Sequence, residues 1–319
     1  MKRCPKCRSL MPEDVHLCIR CGFDSKPAGA LVAPSDSPKL GRMRGGWRLM
    51  SESFKVLMLD KELLLFPLIS GIASFLVLAS FIGGIWASGL AEQEEALGET
   101  TAWLILFAYY FANYFVIVLF NTALVGCAMI RFRGGDPTFA DGLRVARENL
   151  GRIAAWALLA ASVGTILRVI EERVGFIGKI VIAILGAAWT VATYFVVPVL
   201  VVEKLGPVDA AKRSTEIIKK AWGESLVSKA GIGLVVTLLT IGATVVVAAG
   251  FGFLAVKTAS FTVAIVGGLA VIGVIVLGTL IGSALNSIVL CALYLYATEG
   301  KVPEAFASAG LQHAFAGKS

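Results

Sequence analysis

The chain has 319 residues, 57% hydrophobic and 16% charged, with a formal charge of +7 and a mean hydropathy of +0.81. Soluble domains carry about 45–50% apolar and about 25% charged residues, so this balance excludes an ordinary water-soluble globule. Six cysteines in a chain this long also exclude a disulfide scaffold.

The N-terminus reads MKRCPKCRSLMPEDVHLCIRCG. Cys4 and Cys7 form one C-x-x-C pair, and Cys18 and Cys21 form a second. Two such knuckles supply four thiolates, the tetrahedral set preferred by Zn²⁺. Gly22 follows the second pair, where a knuckle needs a tight turn. Residues 1–22 therefore resemble a small zinc ribbon with a structural, closed metal site. His16 lies between the pairs and is not needed as a ligand. The stretch before the first apolar run has no h-region, so no signal peptide is expected.

Residues 23–46 carry Pro27, Pro34 and Pro38 among Ser, Gly and Ala, the composition of a flexible linker. From 47 to 61, Trp47, Met50, Phe54, Leu57 and Met58 recur at helical spacing, with Arg48, Glu52 and Lys55 elsewhere on the wheel. This is an amphipathic helix suited to a membrane surface.

The remaining domain, 62–319, contains six apolar runs at about 63–90, 102–130, 153–170, 177–202, 230–256 and 261–296. Each reaches the roughly 18 residues or more that a transmembrane helix needs. The last run is long enough for one helix or two segments. Pro198 is an expected kink in the fourth span.

Of 29 Lys and Arg, 25 fall on the side of the two termini when six spans are threaded, and only Arg168, Arg173, Lys179 and Lys257 fall on the other. That asymmetry predicts a cell-membrane protein with both termini cytoplasmic. It also places the four thiols in a reducing compartment and accounts for the basic charge without nucleic acid.

The segments starting at Gly134, Leu205 and Gly300 each follow a pair of spans and carry Pro137, Pro207 and Pro303 at the expected start of an amphipathic helix. Asn121 and Asn286 stand 16 and 17 residues before the first and last of these prolines, with Cys127 and Cys291 in similar places. The pattern predicts three parallel repeats of two spans each.

Polar residues within the apolar runs mark the candidate intramembrane site, Asn121 and Asn286 first, with Asn113, Thr190 and Thr193 as further candidates. Arg168, Glu171, Glu172 and Arg173 read as an interfacial cluster, and Gly278-x-x-x-Gly282 as a close-packing motif. Asp136, Asp141 and Asp209 fit the first turns of surface helices. No H-E-x-x-H, G-x-S-x-G or phosphate-binding loop is present, so no enzymatic reaction is expected.

Several segments carry a family likeness: DKELLLFPLISGI from Asp60, RGGDPTFADGL from Arg133, the long stretch from Trp156 to Ser225, and LYLYATEG from Leu293. Over about residues 42–306 the chain resembles a prokaryotic family of six-span membrane proteins of unknown function. The resemblance implies a helical membrane domain and no particular activity.

The sequence thus predicts an all-α polytopic membrane protein with six transmembrane helices and an N-terminal zinc ribbon. The expected function is a non-enzymatic scaffold or sensor that binds a cytosolic protein through the ribbon. The alternative is a transporter or channel with its pathway between repeat units.

Overall fold

The structure, a computed structural model, describes residues 2–3, 10–11, 31–32, 42–89, 98–222, 230–258, 260–304 and 306. An apolar run deprived of water must satisfy its own backbone, and a helix does so within one segment. Helices accordingly dominate: α1 (Arg42–Leu59), a 3-10 turn (Lys61–Leu64), α2 (Leu65–Ala87), α3 (Glu99–Phe132), α4 (Phe139–Glu148) and α5 (Leu150–Arg173). They continue with α6 (Phe176–Ala192), α7 (Val196–Val202), α8 (Pro207–Trp222), α9 (Ala230–Thr258) and α10 (Phe261–Glu299). Among the described residues six stretches are long and apolar enough to cross a membrane: Lys61–Ala87, Glu99–Phe132, Leu150–Arg173, Phe176–Val202, Val236–Thr258 and Phe261–Glu299. The protein is a multi-pass helical membrane protein.

The last apolar run, which the sequence leaves open as one helix or two segments, is one uninterrupted helix, α10. Along it Gly267, Gly278 and Gly282 receive α9 at close range. A Cβ at Gly282 would stand 2.9 Å from Val236 Cγ1, and one at Gly267 would stand 2.6 Å from Phe251 Cβ. The fourth span breaks at Thr193–Phe195, one turn before Pro198, because the proline ring has no N–H and crowds the carbonyl four residues earlier. Pro207 opens α8 as expected, but Pro137 precedes the Thr138 N-cap of α4. Pro303 lies in a two-residue strand, β4 (Val302–Pro303), which pairs antiparallel with β3 (Leu31–Val32). A second pair joins β1 (Lys2–Arg3) to β2 (Leu10–Met11).

The core sits at one end of the bundle. It gathers Ala123–Met129 and Phe132 of α3, Ala284 and Leu285 with Ile288–Leu295 of α10, Ile153 and Trp156 of α5, and Val196, Val199 and Leu200 of α7. Surface helices cap that end: α1 rests on α9 and α10, α4 on α3, and α8 on α6 and α7. Burial falls away toward the other end. In the most apolar 18-residue stretch of each helix, 56% of the α3 residues are buried against 0% of those of α9, and Leu78, Ile82, Trp86, Val246 and Leu269 are exposed at the far end. In water such a surface would aggregate, whereas against lipid tails it costs nothing.

Candidate functional site: a polar cap and an intramembrane groove

The capped end is locked by charge. Asp60 ends α1 and is nearly buried at 8% exposure. A carboxylate there needs a partner, and Arg131 at the end of α3 supplies Nε and Nη2 to its two oxygens. Arg131 also bonds Asp136, so this aspartate serves an ion pair ahead of α4 rather than the helix dipole. Glu62 Oε2 accepts from the Phe139 N–H at 2.9 Å, which satisfies an orphan donor at the start of α4. Thr138 and Asp141 complete a capping box there, and Phe139 stacks on Phe66 with centroids 4.8 Å apart. The Thr138 hydroxyl and backbone N–H bonds, with Arg144 adding charge, hold the Asp141 carboxyl below its ordinary value.

A second network joins α7, α8 and α10. Arg213 Nε donates to Glu203 at 2.9 Å, and the Tyr294 hydroxyl donates to Glu203 Oε1 at 2.9 Å. Lys204 takes the left-handed φ of 55°, and its carbonyl accepts from Arg152 Nε at 2.9 Å. In the break of the fourth span, the Phe195 N–H has lost its helical acceptor and donates instead to Ser214 Oγ of α8 at 3.0 Å.

Just beyond this cap, α2, α3 and α10 enclose a groove of about 320 Å³. Ser70 and Ser74 of α2, Asn121 of α3, and Thr279 and Ser283 of α10 give it polar walls, with Pro67, Gly71, Phe120 and Leu124 between them. Asn286 does not line the groove. It lies three residues past Ser283 on the α10 chain and is exposed.

Hydroxyls in the apolar helices ordinarily bond a carbonyl one turn back, as Thr240 does to Val236, Thr244 to Thr240, Ser162 to Leu158 and Ser287 to Ser283. The groove departs from that pattern. Thr279 bonds back to Val276, but the hydroxyls of Ser70 and Ser283 and the side-chain amides of Asn121 and Asn286 make no hydrogen bond among the described residues. Ser74 Oγ is buried without a partner. No charged side chain lines the groove. It is equipped to exchange neutral hydrogen bonds with something that enters it.

The other intramembrane candidates are accounted for locally. Asn113 Nδ2 donates to the Tyr109 hydroxyl, and Thr190 and Thr193 bond carbonyls of their own helix. Arg168 pairs with Glu171 and Glu172, and Arg173 with Glu99 of α3. Cys127 and Cys291 are buried, with Cys127 Sγ 3.4 Å from the Thr138 carbonyl. Cys4, Cys7, Cys18 and Cys21 lie outside the described residues. Among the described residues no group of three or more His, Cys, Asp and Glu is placed to hold a metal.

The fold defines a multi-pass helical membrane protein with a groove whose largely apolar wall carries the Asn121 amide and the hydroxyls of Ser70, Ser74, Thr279 and Ser283. The chain belongs to a family of unknown function, DUF6159, whose pattern matches residues 100–304. The match takes in α3 and α10, and with them Asn121 and Asn286, but not α2 or the cysteine pairs. No curated protein matches the chain.

Proposed function

We propose that the membrane domain is a transporter or channel for an uncharged, hydrogen-bonding ligand, with Asn121 as the central contact of its pathway. The observation that carries this reading is the set of unpartnered groups at Asn121, Ser70, Ser74 and Ser283 in one groove. An amide left unpaired in an apolar medium costs about 2–7 kcal/mol, so a groove rich in such groups is adapted to an occupant. The distribution of Lys and Arg supports a cell-membrane location with both termini cytoplasmic. The packing of α8 on α5 and α6, and of α4 on α3, is what supports a repeated unit of two spans and a surface helix; the segment after Pro303 lies mostly outside the described residues. The test is flux into liposomes containing the full chain, followed by swelling in a panel of uncharged hydroxyl- and amide-bearing solutes. Asn121→Leu should lower flux at matched protein content. Flux that ignores this change would remove the site, and no flux for any solute would remove the class.

A second reading is a non-enzymatic scaffold or sensor that captures a cytosolic protein through a zinc ribbon at residues 1–22. It is favoured by the paired C-x-x-C spacing and by the pairing of β1 with β2 on either side of Cys4 and Cys7. Zinc would supply folding energy to a segment too short to build a core. Loss of partner capture in Cys18→Ser, with membrane insertion intact, is the expected result.

A further inference from the structure

We infer that the ligand of the groove is a membrane-borne amphiphile with an uncharged head bearing hydroxyl or carbonyl groups, held head-first at Asn121 with its chain along the α2–α3 seam. The inference rests on the reading of the groove as a ligand pathway and adds the ligand's chemistry and its route of entry.

Three observations carry it. First, the same face of α2 that lines the polar groove continues, turn by turn, into an apolar cavity. Pro67, Gly71 and Ser74 lead to Leu78, Ile82 and Ile85, and the last three line a cavity of about 290 Å³ with Ala102, Ile105 and Leu106 of α3. The hydrogen-bonding groove and the apolar slot thus lie one turn apart on a single helix face. From Leu78 to Ile85 the slot extends about 10 Å at 1.5 Å per residue, about a third of a hydrocarbon core about 30 Å thick.

Second, the polar groove faces sideways. Gly71, Thr279 and Ser283 on its walls are exposed, as are the adjoining Leu68, Ile72 and Phe75 of α2 and Val276 and Leu277 of α10. A ligand dissolved in the bilayer reaches these residues without crossing the polar cap. Third, a charged head at this depth would need a countercharge, and the lining offers none. Amides and hydroxyls both donate and accept, which suits glycerol-like or ester groups and gives no advantage to phosphate.

The experiment uses the full chain in liposomes carrying a trace of photoactivatable, alkyne-tagged monoacylglycerol. Labelled peptides and total label are read by mass spectrometry. A matched probe with a phosphate head and glycerol-driven swelling are the other two arms. Label is expected on α2, α3 and α10 peptides. Asn121→Leu should reduce it about tenfold, the scale of one lost hydrogen-bonding group. Ala102→Phe, at an exposed position in the lining of the apolar slot, should reduce it similarly. The phosphate probe should ignore both changes. Monoacylglycerol label that ignores both variants overturns the inference. If glycerol swelling still falls in Asn121→Leu, the pathway reading survives that failure. If neither probe responds to Asn121→Leu, both fall together.

Discussion

Asp60 and Arg131, 71 residues apart in sequence, form a two-point ion pair that fastens the start of the first span to the end of the second. The side chains are 7% and 12% exposed, so water screens the pair little. Removing one partner of such a pair leaves a buried charge, which costs about 3–5 kcal/mol. Asp60→Ala should therefore destabilise the protein by about 3 kcal/mol in denaturant unfolding from detergent. Asp136→Ala, which removes a partner whose side chain is 91% exposed, should cost less than about 1 kcal/mol. Equal effects would mean that Arg131 is held by its exposed partner.

Gly142 is the point of closest approach between α4 and the spans. A Cβ there would meet Phe66 Cζ at 2.5 Å, Cys127 Sγ at 2.7 Å and the Ala123 carbonyl at 2.9 Å. The carbonyl belongs to a helix and cannot swing aside. Gly142→Ala should cost about 2 kcal/mol through overpacking, despite the better helix propensity of alanine. Gly151→Ala, where nothing lies within 4 Å, is the control and should be neutral or slightly stabilising. Unfolding midpoints of the two variants decide the matter.

Ser214→Ala removes the acceptor of the Phe195 N–H and leaves that donor buried. The expected cost is about 1–3 kcal/mol. Hydrogen exchange at residues 193–196 should accelerate at least tenfold, with little change in α3. Unchanged exchange would show that the break in the fourth span does not depend on α8.

The depressed Asp141 carboxyl makes a pH prediction. A group whose folded value lies below its ordinary 3.8 contributes stability above that value and loses it as pH falls through the folded value. Protection factors in the first turn of α4 should therefore drop below about pH 3.8 in the native chain. In Asp141→Asn they should be low and flat across the same range. A native profile that is also flat would remove the capping box as the cause.

The metal prediction concerns residues 1–22. Elemental analysis of the purified chain should find about one zinc per molecule, as four thiolates saturate one tetrahedral ion. Cys18→Ser should lose most of it and release captured cytosolic proteins. Retained zinc in that variant would refute the four-cysteine site.

The spans were legible because apolar length is a one-dimensional property. Asn121 stood out for the same reason, as an amide in an apolar run. The hydroxyls around it did not. A serine in a span usually bonds its own helix, so Ser70 and Ser74 carry no signal until their partnerless state is seen in three dimensions. Asp60 and Arg131 were equally silent, because pairing across 71 residues leaves no spacing to read. Pro198 marked the break in the fourth span but not its place, which follows from the carbonyl one turn earlier. Asn286 resembled Asn121 by its distance to a proline, yet the rotation of α10 leaves it outside the groove.

The burial gradient from the capped end to the other has a mechanical meaning. Near α1, α4 and α8 the helices are clamped by ion pairs and a packed core. At the far end, side chains from Trp86 to Leu269 touch no protein core. There lipid tails, rather than a protein core, cover most of the side chains. Stability is therefore uneven along the bundle, and the capped end is the part that should open last.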